Sequence, residues 1–160
     1  MAINVQQYLK AAGGLSAAAI LAAGLVTKWE GKETTVYKDP VGILTSCYGH
    51  TGPELKVGQR FTEQQCLDQL AEDLREHEAQ LLSQVKVPMN VYQQAAYISF
   101  TYNVGIGTVK QSTLLKLLNA GMYKESCAQL SRFVYAQKKK LKGLVNRRAD
   151  EYEMCMRGFK

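Results

Sequence analysis

The chain has 160 residues, enough for one domain with a substantial core, so no second independently folding unit is required. With 46% hydrophobic and 21% charged residues it fits neither a disordered segment nor a polytopic membrane protein. A net charge of +6 favours an anionic partner, whether nucleic acid, a membrane surface or an acidic polymer such as a bacterial wall, and charge alone does not choose among them.

From Ala11 to Thr27 the chain reads AAGGLSAAAILAAGLVT, with no charged residue between Lys10 and Lys28. Its length is at the lower limit for crossing a bilayer, about 17 residues. Being rich in Ala and Gly rather than Leu and Ile, it reads as a weak anchor. A secretory signal would show a basic start, a stronger apolar block and a clear small-residue cleavage site, which are wanting here. The competing reading is a buried Ala-rich helix whose small side chains permit close packing. The export anchor is preferred, and one segment can play both parts at different times.

Next comes a hairpin. DPVG at Asp39 to Gly42 has Pro at the second turn position and Gly at the fourth, as a type I turn prefers. Val36, Tyr37, Ile43, Leu44 and Tyr48 supply β-favouring residues on either side. Beyond it, Thr62 and Gln65 form a capping-box signature. Cys66, Leu67, Leu70, Leu74, His77, Leu81 and Val85 then recur near helical spacing, which predicts one long helix ending before Pro88. A second helix starts near Asn90, is apolar nearly all round, and stops at Gly105 and Gly107; it is the expected centre of the core. Shorter helices are predicted over Ser112 to Asn119, Lys124 to Tyr135, and Asn146 to Arg157. KKKLK at Lys138 to Lys142 lacks interleaved aromatics and a reading helix, so it reads as a solvated basic face, with attraction to an anionic wall polymer as a secondary benefit and no nucleic-acid partner. The expected fold is α+β, a mostly helical lobe and a small β-hairpin lobe with a cleft between them.

Cys47, Cys66, Cys127 and Cys155 lie far apart, without a CxxC pair and with only His50 and His77 as further soft ligands, which argues against zinc. Two disulfides in an oxidising compartment and four buried thiols are both open on composition, and an exported N-terminus tips the balance to disulfides.

Cleaving a glycosidic bond requires an acid for the leaving oxygen, a carboxylate and a placed water. Glu30 at the end of the N-terminal helix, Asp39 at the hairpin turn and Thr45 on the return strand can supply these. Taken singly, a surface Glu and a turn Asp are common bystanders. The whole string, Glu30-Gly31, YKD before the turn, Gly42 after it, Thr45 and then Gly49-His50, resembles the catalytic hairpin of the phage-type lysozymes, which are muramidases. YNVGIG, STLLKLLNAG and GLVNRRADEYEMC extend the likeness in order from about Trp29 to Phe159, and the N-terminus resembles that of lambdoid-phage signal-anchor-release endolysins.

That resemblance implies a lysozyme-like fold and hydrolysis, for host lysis, of the β-1,4 bond between N-acetylmuramic acid and N-acetylglucosamine in bacterial peptidoglycan. It makes Glu30 the general acid, Asp39 the supporting carboxylate and Thr45 the water-positioning hydroxyl. Inversion at the anomeric carbon is implied, with carboxyl groups about 6.5 to 9.5 Å apart. Tyr102 falls where the family lines the sugar cleft with an aromatic, and His50 opposite Asp73 as a structural ion pair. Bridges Cys47–Cys66 and Cys127–Cys155 are implied, and no cofactor. The chain would divide into a signal-anchor-release segment, 1–28, and a lysozyme-like catalytic domain, 29–160. It would be a monomer exported to the host periplasm, tethered at first to the inner membrane through residues 11–27. The alternatives are a non-catalytic wall-binding protein and a lytic transglycosylase.

Overall fold

The uncharged N-terminal run folds as parts of two helices rather than one. In the computed structural model, which describes residues 3–160, Asn4 caps α1 (Val5–Ala12) by accepting from Gln7 N, and Ser16 caps α2 (Ala17–Glu30) by accepting from Ala19 N. The first two residues of the expected 1–28 segment lie outside the described residues. Gly13 and Gly14, with φ of +77° and +83°, turn the chain between the two helices, a backbone that side chains disfavour. Among the described residues no helix is long and apolar enough to cross a membrane.

The apolar residues of this run are buried in the protein. Ala18, Ala19, Ala22, Ala23 and Val26 of α2 are buried, and their small side chains allow α2 to lie close against the central helix α4 (Val91–Val104). α1 is tied down by Leu9, which is buried, and by Tyr8, whose hydroxyl donates to Asp68 at 2.9 Å. Ser16 also donates to Glu78 at 2.5 Å.

The hairpin lobe is a three-stranded antiparallel sheet in the order β1 (Glu33–Lys38), β2 (Leu44–Cys47), β3 (His50–Thr51). Gly42 N donates to Asp39 O at 2.9 Å, closing the turn that DPVG prefers. α3 (Glu63–Leu82) starts at the reciprocal Thr62–Gln65 capping box and buries Cys66, Leu67, Leu70, Leu74 and Leu81. α4 starts at Asn90, whose side chain accepts from Tyr92 N and Gln93 N, and it is buried over most of its length, Tyr97, Ile98 and Phe100 included.

Four predicted boundaries move. α3 ends at Leu82, so Val85 lies beyond it. Gly105 is a corner rather than an end, because α5 (Ile106–Gln111) begins directly after it. α6 (Thr113–Asn119) follows as expected, but the helix expected from Lys124 to Tyr135 is only α7 (Tyr123–Ala128) and a 3-10 turn (Gln129–Arg132). A second hairpin then forms, β4 (Tyr135–Ala136) with β5 (Lys139–Lys140), and α8 (Lys142–Arg157) begins a turn earlier than predicted. The turn between β4 and β5 is Gln137-Lys138, with φ of +50° and +66°. Positive φ at both central residues is what a two-residue hairpin turn needs, yet it is the chemistry of Asn-Gly and not of Gln-Lys.

The cysteines form Cys47–Cys66, joining β2 to α3, and Cys127–Cys155, joining α7 to α8, the pairing implied by the resemblance. With sequence separations of 19 and 28 residues, each loop closure stabilises the fold by about 2 to 4 kcal/mol. The double substitution Gln137→Asn/Lys138→Gly should raise the unfolding free energy by about 1 kcal/mol, since Asn and Gly both adopt the left-handed region more readily than Gln and Lys. Urea denaturation checks this; an unchanged or lower midpoint would show that the turn holds no strain.

Candidate active site

Glu30 is the last residue of α2, and Gly31 turns the chain away from it. Glu30 Oε2 accepts from Arg147 Nη1 of α8 at 2.9 Å. Gly49 closes on the other oxygen: a Cβ at that position would stand 2.9 Å from Oε1. The carboxyl group is therefore held by Arg147 on one side and has space on the other only because residue 49 is glycine, with its side chain 20% exposed. The neighbouring residues fix the same joint, since Trp29 Nε1 donates to Asp150 Oδ2 at 2.9 Å and Lys28 pairs with the same oxygen at 2.7 Å.

Arg147 is itself immobilised. Its Nη2 donates to Ser99 O at 3.1 Å, and its Nε donates to Glu151 Oε2 at 3.3 Å, the oxygen that also accepts from Ser99 Oγ at 2.7 Å. Glu151 Oε1 lies 2.9 Å from Arg148 Nε. Two guanidinium groups thus face two carboxyls, Glu30 and Glu151, and three of the four residues are almost wholly buried. Burial pushes the Glu151 carboxyl up, against the pull of Arg148 and Arg147. Removing one member of such a set leaves an uncompensated charge inside, at a cost of about 3 to 5 kcal/mol.

Glu30 opens into a hollow of about 310 Å³ walled by Trp29, Asn103, Leu141, Gly143, Leu144 and Arg147. A second hollow of about 330 Å³ shares Asn103 and Leu144 with it and continues to Phe133, Tyr135 and Ala136, making one trough. A larger hollow of about 400 Å³ on another flank of α8 has Arg148 and Lys140 in its walls but no carboxylate, and Glu30 does not line it.

Asp39 and Thr45 stand on the hairpin, outside the walls of the two hollows. Asp39 Oδ1 accepts from Val41 N at 3.0 Å and Ile43 N at 2.8 Å, so the turn fixes the direction of its half-buried carboxylate. Thr45 donates its hydroxyl proton to Ile43 O at 3.1 Å and is buried. Tyr37, paired across the sheet with Thr45, registers both acids: its hydroxyl is pushed up first by burial and then by the negative charges of Glu33, Asp39 and Glu30.

Tyr102, expected on the sugar cleft, lines neither hollow. Its hydroxyl donates to Tyr48 O at 2.6 Å and its ring lies 4.9 Å from that of His77, so it braces α4 against the hairpin. His50 forms the other brace, with Nδ1 2.8 Å from Asp73 Oδ2 and Nε2 2.7 Å from Glu54 Oε1. Sequence reasoning assigned no role to Arg147, Arg148, Glu151, Ser99 or Gly49. The signal that could have found the charged three is their spacing, Arg147 and Arg148 placed four and three residues before Glu151 on one helix.

The hydrogen bond to Asp73 raises the His50 pKa to about 9, with Glu54 adding to the rise and burial opposing it. A folded-state value above the unfolded one, about 6.5, means that the brace is fully stabilising below pH about 6.5 and is lost as pH rises toward about 9. The unfolding free energy should decline across that window, and Asp73→Asn should flatten the decline. Chemical denaturation at a series of pH values reads this out, and equal slopes in the two proteins would refute it.

Comparison with known proteins identifies the family. The family model for phage lysozyme matches residues 27–151. The SAR-endolysin of Bacteriophage PS119 is 43% identical over 129 residues, spanning 81% of this chain and 77% of the relative. Among solved structures, P22 lysozyme superposes with a TM-score of 0.75 at 29% identity, covering 84% of this chain and 94% of the other. The active form of the P1 phage endolysin Lyz shares the fold with a TM-score of 0.87 at 22% identity, covering 100% of this chain and 96% of the other. The α+β architecture, the matched family and the relative together place this chain in the phage lysozyme family, as a glycoside hydrolase.

Proposed function

We propose that the chain is an endolysin that hydrolyses the β-1,4 bond between N-acetylmuramic acid and N-acetylglucosamine in peptidoglycan. The observation that carries this is Glu30, held by Arg147 in a hollow of about 310 Å³ that opens onto a longer trough. Glu30 acts as general acid: it gives its proton to the glycosidic oxygen as the bond to the anomeric carbon breaks. Asp39 and Thr45 approach from the hairpin and place the attacking water on the opposite face. Thr45 has committed its proton to Ile43 O, so its oxygen is left as an acceptor for that water. Asp39 accepts the proton that the water loses, and the anomeric configuration inverts. Tyr102 serves as a positioning residue for the hairpin, because its hydroxyl is already engaged.

We further infer that residues 1–28 are a signal-anchor-release segment and 29–160 the catalytic domain, with export to the host periplasm and a first stage tethered to the inner membrane through residues 11–27. Two observations support this. Ala adds little to bilayer transfer and Gly none, while Leu or Ile adds about 0.3 to 0.6 kcal/mol per residue, so the hold on lipid is weak. The side chains that would leave lipid, Ala18, Ala19, Ala22, Ala23 and Val26 among them, are buried again in the docked fold. Docking brings Glu30 to Arg147, so the tethered form lacks its acid. The working protein is a monomer without cofactor or nucleic-acid partner.

Glu30→Gln keeps the side chain's shape but cannot give up a proton. Clearing of purified peptidoglycan should fall about a hundredfold or more, and the native products should carry the mass of one added water. Undiminished clearing would remove Glu30 as the acid, wall binding without clearing by the native chain would make it a wall binder, and anhydro products would make it a transglycosylase. Replacing Gly13, Gly14 and Gly24 by Leu should move the protein to the membrane fraction and weaken lysis. Unchanged partitioning between membrane and soluble fractions would rule out the anchor.

A further inference from the structure

Trp29 is the only tryptophan in the chain, and it stands beside the acid. It comes one residue before Glu30 in the last turn of α2, and both side chains wall the same hollow of about 310 Å³. Burying an indole removes more apolar surface from water than burying any other side chain, so a place in the core is its default. Trp29 takes no such place: it is half-buried and lies outside the contiguous core to which α2, α3, α4 and the later helices contribute.

The ring is nevertheless held firmly. Its Nε1 donates to Asp150 Oδ2 at 2.9 Å, and Lys28, whose Nζ pairs with the same oxygen at 2.7 Å, lies 5.0 Å from the ring centroid. The one polar atom of the indole is therefore spent on the protein, and what the ring offers to the hollow is apolar. Asp150 follows Arg147 by three residues, so one face of α8 grips two consecutive residues of α2: Arg147 takes the acid and Asp150 takes the indole. A flat apolar ring kept out of the core, oriented by its own donor and set against a proton donor, suits a ligand that also has a flat apolar face. A pyranose ring has one, made by its axial C–H bonds, while its hydroxyls lie around the edge.

We propose that Trp29 is a saccharide-binding platform that packs against the sugar ring next to the bond to be cut, and that Asp150 is the positioning residue that locks the indole for it. The proposal rests on the muramidase reading above. The platform contacts the sugar equally before and during proton transfer, so its contribution lies in KM and not in kcat.

Trp29 can report on itself. The Glu30→Gln chain, which should bind without cutting, is titrated with the peptide-free tetrasaccharide of alternating N-acetylglucosamine and N-acetylmuramic acid. Binding followed by calorimetry should be accompanied by a saturable blue shift in tryptophan emission, which in this chain comes from Trp29 alone. In the cleavage of soluble peptidoglycan fragments, Asp150→Ala should raise KM about tenfold with kcat kept, and Asp150→Asn, which retains an oxygen to accept from the indole, should recover most of that loss. Lys28→Gln should match the native chain, because an ion pair whose lysine is 60% exposed contributes little. Binding without any change in emission, a loss in kcat for Asp150→Ala, or an equal loss for Asp150→Asn would each overturn the proposal. A native chain that cuts no peptidoglycan would defeat the muramidase reading instead, and the emission titration would still decide whether Trp29 meets the sugar.

Discussion

The contact between Glu30 and Arg147 is the joint on which the rest of the structure depends. One partner is the final residue of the N-terminal helical pair and the other projects from the last helix, so their meeting requires both ends of the chain to be docked on α4. Arg147 can wait in the interior because Ser99 and Glu151 satisfy its other donors, and Glu151 can be buried because two guanidinium groups and a hydroxyl surround it. The network converts a helix-packing arrangement into the orientation of one carboxyl group. Hydrophobic burial brings α2, α4 and α8 together without direction; the ionic set supplies the direction.

The hairpin must then be held at the right height above that carboxyl. Gly49 leaves room beside Glu30 that a side chain would fill, and on either side of Gly49 the chain is braced: Tyr48 through its carbonyl to Tyr102, and His50 through its ring to Asp73. His77 joins the two braces, because its Nδ1 meets Asp73 O at 2.7 Å while its ring packs on Tyr102. A small sheet with one solvent-facing side has little apolar area with which to fix itself, so polar ties and one disulfide to α3 do the positioning.

The elements legible in the sequence were those with a local cause. The Thr62–Gln65 capping box, the Asn90 cap and the DPVG turn each satisfy backbone groups within a few residues, and each stands where it was expected. What stayed hidden depends on distant partners. The β4–β5 hairpin has no counterpart among the predicted elements, where only Tyr135 falls at the end of an expected helix, because Gln137-Lys138 carries no turn signal and its φ values go with the pairing on either side. α5 was missed because Gly105 looks like a stop from one side only. For the site, Glu30, Asp39 and Thr45 could be singled out by residue type and order, whereas Arg147, Arg148 and Glu151 look like ordinary surface charges until packing shows them buried. The break at Gly13-Gly14 was masked by the uniform apolarity of the run around it.

Neither disulfide reaches the first thirty residues: one closes the hairpin onto α3 and the other closes α7 onto α8. The receiving surface for α1 and α2 is thus covalently stapled, while the helices that complete it are retained by contacts alone. The covalent cross-links therefore secure the hairpin and the C-terminal helices against local opening, whereas the N-terminal pair has only packing, hydrogen bonds and ion pairs to resist it.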